Sequence, residues 1–191
     1  YDAASQSFSS GIDILGGTGG NTFTVVSTRS GAIEVTTLLA GQGNDVVHVT
    51  DPAPRYLVVR GQAGADTLDA TAGGGTEMYG DAGDDTLLGG AGKDVQIGGQ
   101  GSDTIDGGGN DDVIAGDDAQ VRRAADYSLI EVQTQSSATD GDDTLSGGAG
   151  SSSIVTAIER VARAPRSDAG EEPGSAAAVA STAAIAQPAT R

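Results

Sequence analysis

Residues 80–118 repeat with a period of nine, and no other feature of the chain limits its fold so tightly. The nines are GDAGDDTLL (80–88), GGAGKDVQI (89–97), GGQGSDTID (98–106) and GGGNDDVIA (107–115). Each opens on glycine, which accepts the backbone angles of a tight turn. Each carries Asp at the sixth place: Asp85, Asp94, Asp103 and Asp112. A short alternating run follows, with a large aliphatic at the eighth place in Leu87, Ile105 and Ile114. A strand of three or four residues buries little alone, but stacked turns lay each aliphatic on the next. The period therefore predicts a parallel coil whose full turn is two nines, eighteen residues. Asp85 and Asp103 then share one edge, and Asp94 and Asp112 the other.

Those edges need a counter-charge. Residues 80–118 hold ten Asp, one Lys (Lys93) and no Arg. Stacked carboxylates repel where water is partly excluded. Calcium answers this, because it takes carboxylates and backbone carbonyls together in irregular geometry. Magnesium demands a stricter octahedron. Zinc and copper are disfavoured, since the chain has no Cys and one His, His48.

The pattern GGxGxDxUx, with U a large aliphatic, resembles the calcium-binding nonapeptide of RTX, or haemolysin-type, repeat proteins. The resemblance is close over 80–115 and looser over 40–69 and 138–150. It implies an all-β fold, a right-handed parallel β-roll or β-helix solenoid with calcium between successive turns. It also implies a bacterial protein that is extracellular or on the cell surface, exported by type I secretion. In such repeats the sixth-place Asp supplies a side-chain ligand. Carbonyls at the second and fourth places add to it, here Gly90 with Gly92 and Gly99 with Gly101. Two departures stand out. Gln96 occupies an aliphatic place, which predicts a twisted rung or an inward Val95 or Ile97. Asn110 replaces a fourth-place Gly, which weakens the Asp112 site.

The rest of the composition agrees. With two Phe, four Tyr and no Trp, a conventional core is poorly supplied, whereas a solenoid needs only Val, Leu and Ile. A net charge of −17 argues against nucleic acid and against anionic membrane surfaces. No run is long and apolar enough for a membrane span. A chain that opens on Tyr1 reads as a piece of something longer, a fragment of a larger secreted protein.

Taken in order, residues 1–60 predict irregular parallel β-helix turns. GGTGGNTFT (16–24) is a damaged nine with Asn21 at the Asp place, and AGQGNDVVH (40–48) offers Asp45. Residues 61–115 form the regular roll, entered through GQAGADTLD (61–69) with Asp66. The sixth-place column Asn21, Asp45, Asp66, Asp85, Asp103 steps by 24, 21, 19 and 18, a coil tightening along the chain. The opposite edge lacks the motif before residue 89. Residues 116–137 break the repeat and read as an inserted loop or hairpin. Residues 138–155 are degenerate terminal repeats, with Asp143 in ATDGDDTLS but Ser152 in place of the next Asp. Residues 156–191 are Ala-rich, and the helical spacing of Ile154, Ile158, Val161 and Ala162 predicts a short capping helix over about 153–164, followed by a disordered tail.

No nucleophile elbow, zincin motif or phosphate loop is present, so the chain reads as no enzyme. The leading expectation is a calcium-dependent folding module of a secreted or cell-surface protein. The alternatives are an adhesin or matrix spacer with an unidentified surface or matrix partner, or the repeat region of an RTX toxin or secreted hydrolase whose active domain lies elsewhere.

Overall fold

Strict alternation after each turn sends every second side chain inward, and this sorts the chain into two parallel sheets. The computed structural model describes residues 12–28, 35–54, 56–125, 129–135, 139–150 and 152–155. These lie in the first of two units, Tyr1–Ala157; the second, Ile158–Arg191, is outside the described residues. The strands are β1 (Ile12–Leu15), β2 (Thr22–Val25), β3 (Thr36–Gln42), β4 (Val46–Val49), β5 (Leu57–Ala63), β6 (Thr67–Asp69), β7 (Glu77–Ala82), β8 (Thr86–Leu88), β9 (Val95–Gln100), β10 (Thr104–Asp106), β11 (Val113–Asp117), β12 (Ala119–Arg123), β13 (Leu129–Thr134), β14 (Thr144–Ser146) and β15 (Ser153–Val155). One sheet runs β1-β3-β5-β7-β9-β11-β15 and the other β14-β10-β8-β6-β4-β2. All pairings within both are parallel. The chain is thus an all-β solenoid in which odd and even strands alternate between two faces.

The core is a stack of in-register columns. Phe23, Val47, Leu68, Leu87, Ile105 and Leu145 lie opposite one another across the even sheet. Leu38, Val59, Met78, Gln96 and Ile114 do so across the odd sheet. Apart from Phe23 and Leu145 near the ends, these side chains are fully buried. Burial of aliphatics at every rung supplies the driving force that no single turn has.

Gln96 corrects an expectation. The rung is not twisted, and neither Val95 nor Ile97 turns inward. Gln96 keeps register between Met78 and Ile114, is completely buried, and donates its amide to the Asp106 carbonyl at 3.0 Å. The reason lies outside the sheet. Val95 and Ile97 pack with Tyr79, Val113 and Ala115 against Ala119, Val121 and Val132 of an antiparallel β12–β13 pair. An apolar layer on the outer face rewards Val and Ile there. A second correction concerns the capping helix: Ser153–Val155 are a parallel strand beside β11, and the remainder of that span lies outside the described residues. Among the described residues no helix is long and apolar enough to cross a membrane.

Candidate metal centre

The sixth-place residues form two columns, one on each edge. On the edge leading into the even sheet, each backbone N–H donates to the carboxylate one turn on. Asn21 donates to Asp45 Oδ1 at 2.6 Å, Asp45 to Asp66 at 2.7 Å, Asp66 to Asp85 at 2.7 Å, Asp85 to Asp103 at 2.8 Å and Asp103 to Asp143 at 2.9 Å. Oδ1 is thereby spent on the fold. Oδ2 is not: in Asp45, Asp66, Asp85 and Asp103 it is buried with no hydrogen-bond partner. The side chains of Asp66, Asp85 and Asp103 fold back over the first glycine of their nines. A Cβ at Gly61, Gly80 or Gly98 would stand 2.2 Å from Oδ2 of Asp66, Asp85 or Asp103.

The opposite edge is built alike but closes on itself. Thr76 N–H donates to Asp94 Oδ1 at 2.6 Å, and Asp94 N–H to Asp112 Oδ1 at 2.9 Å. Here the second oxygen of Asp94 accepts the Gly90 N–H at 3.0 Å, and the Gly90 carbonyl accepts the Gly109 N–H at 2.8 Å. Beyond Asp112 the ladder ends on Ser152, whose hydroxyl accepts the Asp112 N–H at 3.3 Å and lies 3.3 Å from Asp112 Oδ2. Of the predicted carbonyl donors, Gly99 lies near the end of β9 and Gly101 just after it, both at positive φ, and Gly90 and Gly92 lie in the turn before Asp94.

Two participants were missed from the sequence. Thr76 is the sixth place of a nine, TAGGGTEMY (71–79), with Met78 at the eighth; it stands eighteen residues before Asp94, a spacing that would have found it. The other is the first-place glycine, which leaves room for the carboxylate.

The electrostatics follow from burial. Desolvation is the main cause that pushes Asp85 up to about 7, and Asp66, Asp94 and Asp103 up to about 6, against the relief of one donated N–H, or two in Asp94. Asp103 and Asp66 raise Asp85 further. Burial also raises Asp112 and Asp143. These groups are poised to lose protons to a cation. Among the described residues no three acidic or histidine side chains converge as a ready-made cage. A cation here would find one or two carboxylate oxygens, with backbone carbonyls and water to complete its shell, which suits a hard, oxygen-seeking ion of flexible geometry. His48 is no part of this; it sits half-exposed in β4, its Nδ1 3.4 Å from Asp69 Oδ2.

A parallel solenoid whose turns stack buried, under-satisfied carboxylates is a repeat protein with cation-binding turns. The comparison with protein families says which. The RTX calcium-binding nonapeptide repeat matches four times, over residues 58–77, 77–96, 89–119 and 137–155, and over these residues the chain is built of that repeat. RTX nonapeptide repeats bind calcium. Neither the curated proteins nor the solved structures yield a match to the chain.

Proposed function

We propose that the chain is a calcium-dependent folding module of a secreted or cell-surface bacterial protein. The observation that carries this is the column of four buried Oδ2 atoms with no partner on Asp45, Asp66, Asp85 and Asp103. An ionised carboxylate so placed opposes folding unless a cation compensates it. Calcium supplies a compact double charge that accepts six to eight oxygens. In this reading Asp85 and Asp103 form the strongest site with the Gly99 and Gly101 carbonyls. Asp66 and Asp45 continue the column upward and Asp143 downward. Asp94 and Asp112, with Gly90 and Gly92, serve the second edge more weakly, because the Gly90 N–H already takes the second oxygen of Asp94 and the Ser152 hydroxyl that of Asp112. Extracellular calcium modules bind at about 10⁻⁴–10⁻³ M. A chain with such affinities stays loose in the cytoplasm and folds after export, binding energy serving as folding energy.

Far-ultraviolet circular dichroism during a calcium titration, with magnesium as control, tests the reading. The expected result is a coil-to-β transition with calcium alone, shifted to higher calcium in Asp85→Ala/Asp103→Ala. A chain fully folded in chelator at neutral pH, or still disordered at millimolar calcium, would refute it.

A further inference from the structure

The strand pairings between the last turn and the one before it are offset by forty residues, and the isolated bridge Gly101–Asp140, beside the junction, by thirty-nine. Thr104 faces Thr144, Val113 faces Ser153, and Asp103 N–H donates to Asp143 Oδ1. One turn earlier the same pairings are offset by eighteen: Thr86 with Thr104, Val95 with Val113, Asp85 N–H with Asp103 Oδ1. The excess of twenty-two is the same in both sheets, so the extra chain enters at a single point.

The glycines locate that point. In the regular nines the first-place glycine faces the carboxylate of its own sixth-place Asp: Gly80 faces Asp85 and Gly98 faces Asp103. The glycine that faces Asp143 is Gly116, where a Cβ would stand 2.0 Å from Oδ2. Asp117 pairs with the second-place Gly99. Gly141 packs over the carbonyl of the fourth-place Gly101, as Gly101 packs over that of Gly83. The chain therefore leaves the roll after the second place of a nine and returns at the third or fourth. Joining Asp117 to Asp140 writes GDDGDDTLS, close to GDAGDDTLL at 80–88.

Between the two halves lies the β12–β13 pair. It rests on the outer face of the odd sheet through Val121 and Val132. Arg123 Nε donates to Glu77 Oε2 at 2.6 Å, and the Tyr79 hydroxyl donates to Glu77 Oε1 at 2.5 Å. The Arg60 guanidinium covers the Tyr79 ring at 4.4 Å. At its base, beyond the effect of burial, the acidic groups act on one another: Asp140 raises Asp118, with Arg60 and a Gln100 hydrogen bond in partial relief, and Asp140 and Asp142 raise Asp143, so a cation here would lower the repulsion.

We propose that residues 118–139 are an insertion of twenty-two residues within one nonapeptide, and that the turn reassembled from Gly116–Asp117 and Gly141–Asp143 is a calcium-operated clasp that holds the hairpin against the roll. The clasp rests on the calcium reading above; the insertion does not. Two deletions test the insertion. One removes 118–139 and keeps phase; the other removes 119–139 and leaves one residue too many. Both are compared with the parent under whichever condition the parent folds. The in-phase deletion should keep the parent's β signal, with its midpoint within about two-fold, whereas the slipped one should shift it by about five-fold or more, because a one-residue slip reverses every side chain that follows. Loss of the fold in the in-phase deletion, or equal behaviour of the two, would overturn the insertion. Hydrogen exchange tests the clasp in the full chain. Calcium should slow exchange across 119–134 by about ten-fold or more in the parent and not in Asp143→Asn, while β6 and β8 stay protected in both. A hairpin equally protected in Asp143→Asn would overturn the clasp. A parent indifferent to calcium in both assays would sink the clasp together with the calcium reading, and the deletion pair would still decide the insertion.

Discussion

Asp85 does two jobs with one carboxylate. Oδ1 accepts the Asp66 N–H, and Oδ2 is left buried and unmatched. The two jobs separate by substitution. Asp85→Ala strips the Asp66 N–H of its acceptor and should destabilise the fold by about 1–3 kcal/mol whether or not calcium is present. Asp85→Asn keeps an acceptor and removes the charge. It should raise the β content found in chelator and blunt the further gain that calcium gives; circular dichroism with and without calcium checks both. The glycines offer a second contrast. Gly83 has φ +134° and a Cβ there would lie 2.0 Å from the Gly64 carbonyl oxygen, so Gly83→Ala should cost at least about 2 kcal/mol. A Cβ at Gly17 meets nothing within 4 Å, so Gly17→Ala should stay within about 0.5 kcal/mol by urea denaturation.

The elements are too short to stand alone, and their stability comes from the rungs between them. Three-residue strands such as β6, β8 and β10 hold position because Leu68, Leu87 and Ile105 stack in register. Gln96 is the one polar rung in the buried columns, with Oε1 unsatisfied. Its amide is not needed by Asp106, whose carbonyl already accepts the Gly89 N–H at 2.7 Å. Gln96→Met should therefore stabilise the roll by about 1 kcal/mol, read as a higher urea midpoint at unchanged slope. An unchanged or lower midpoint would mean that Gln96 has a task inside the coil beyond that one bond.

The whole molecule is a stack of negative charge, and its response to pH follows. In chelator, Asp66, Asp85, Asp94 and Asp103 titrate near 6 to 7 when folded, against an ordinary value of 3.8. Between those values the folded state holds protons that the unfolded chain has released. Stability without calcium should thus be fully present below about pH 4 and fall as pH rises to 7. The circular-dichroism β signal in chelator at acid, intermediate and neutral pH checks the sign. Calcium should reverse it, since ligands must shed their protons, so apparent affinity should rise over the same window.

Much of this architecture was legible in the sequence because it is periodic. Nine-residue phasing and strict alternation are local properties, so they determined the parallel coil, the inward aliphatics and the alignment of Asp45, Asp66, Asp85 and Asp103 on one edge. Tertiary structure decided what depends on residues a turn or more apart. It turned Gln96 inward, because the β12–β13 pair gives Val95 and Ile97 an apolar cover outside. It recruited Thr76 into the second column and made Ser153–Val155 a strand, because β11 offered an open edge. It assigned one carboxylate oxygen to the backbone of the neighbouring turn and left the other bare. And it joined Gly116 to Asp143 across an intervening hairpin. Such bonds span from eighteen to forty residues, beyond the reach of any local pattern, and only the stacking of turns brings their partners together.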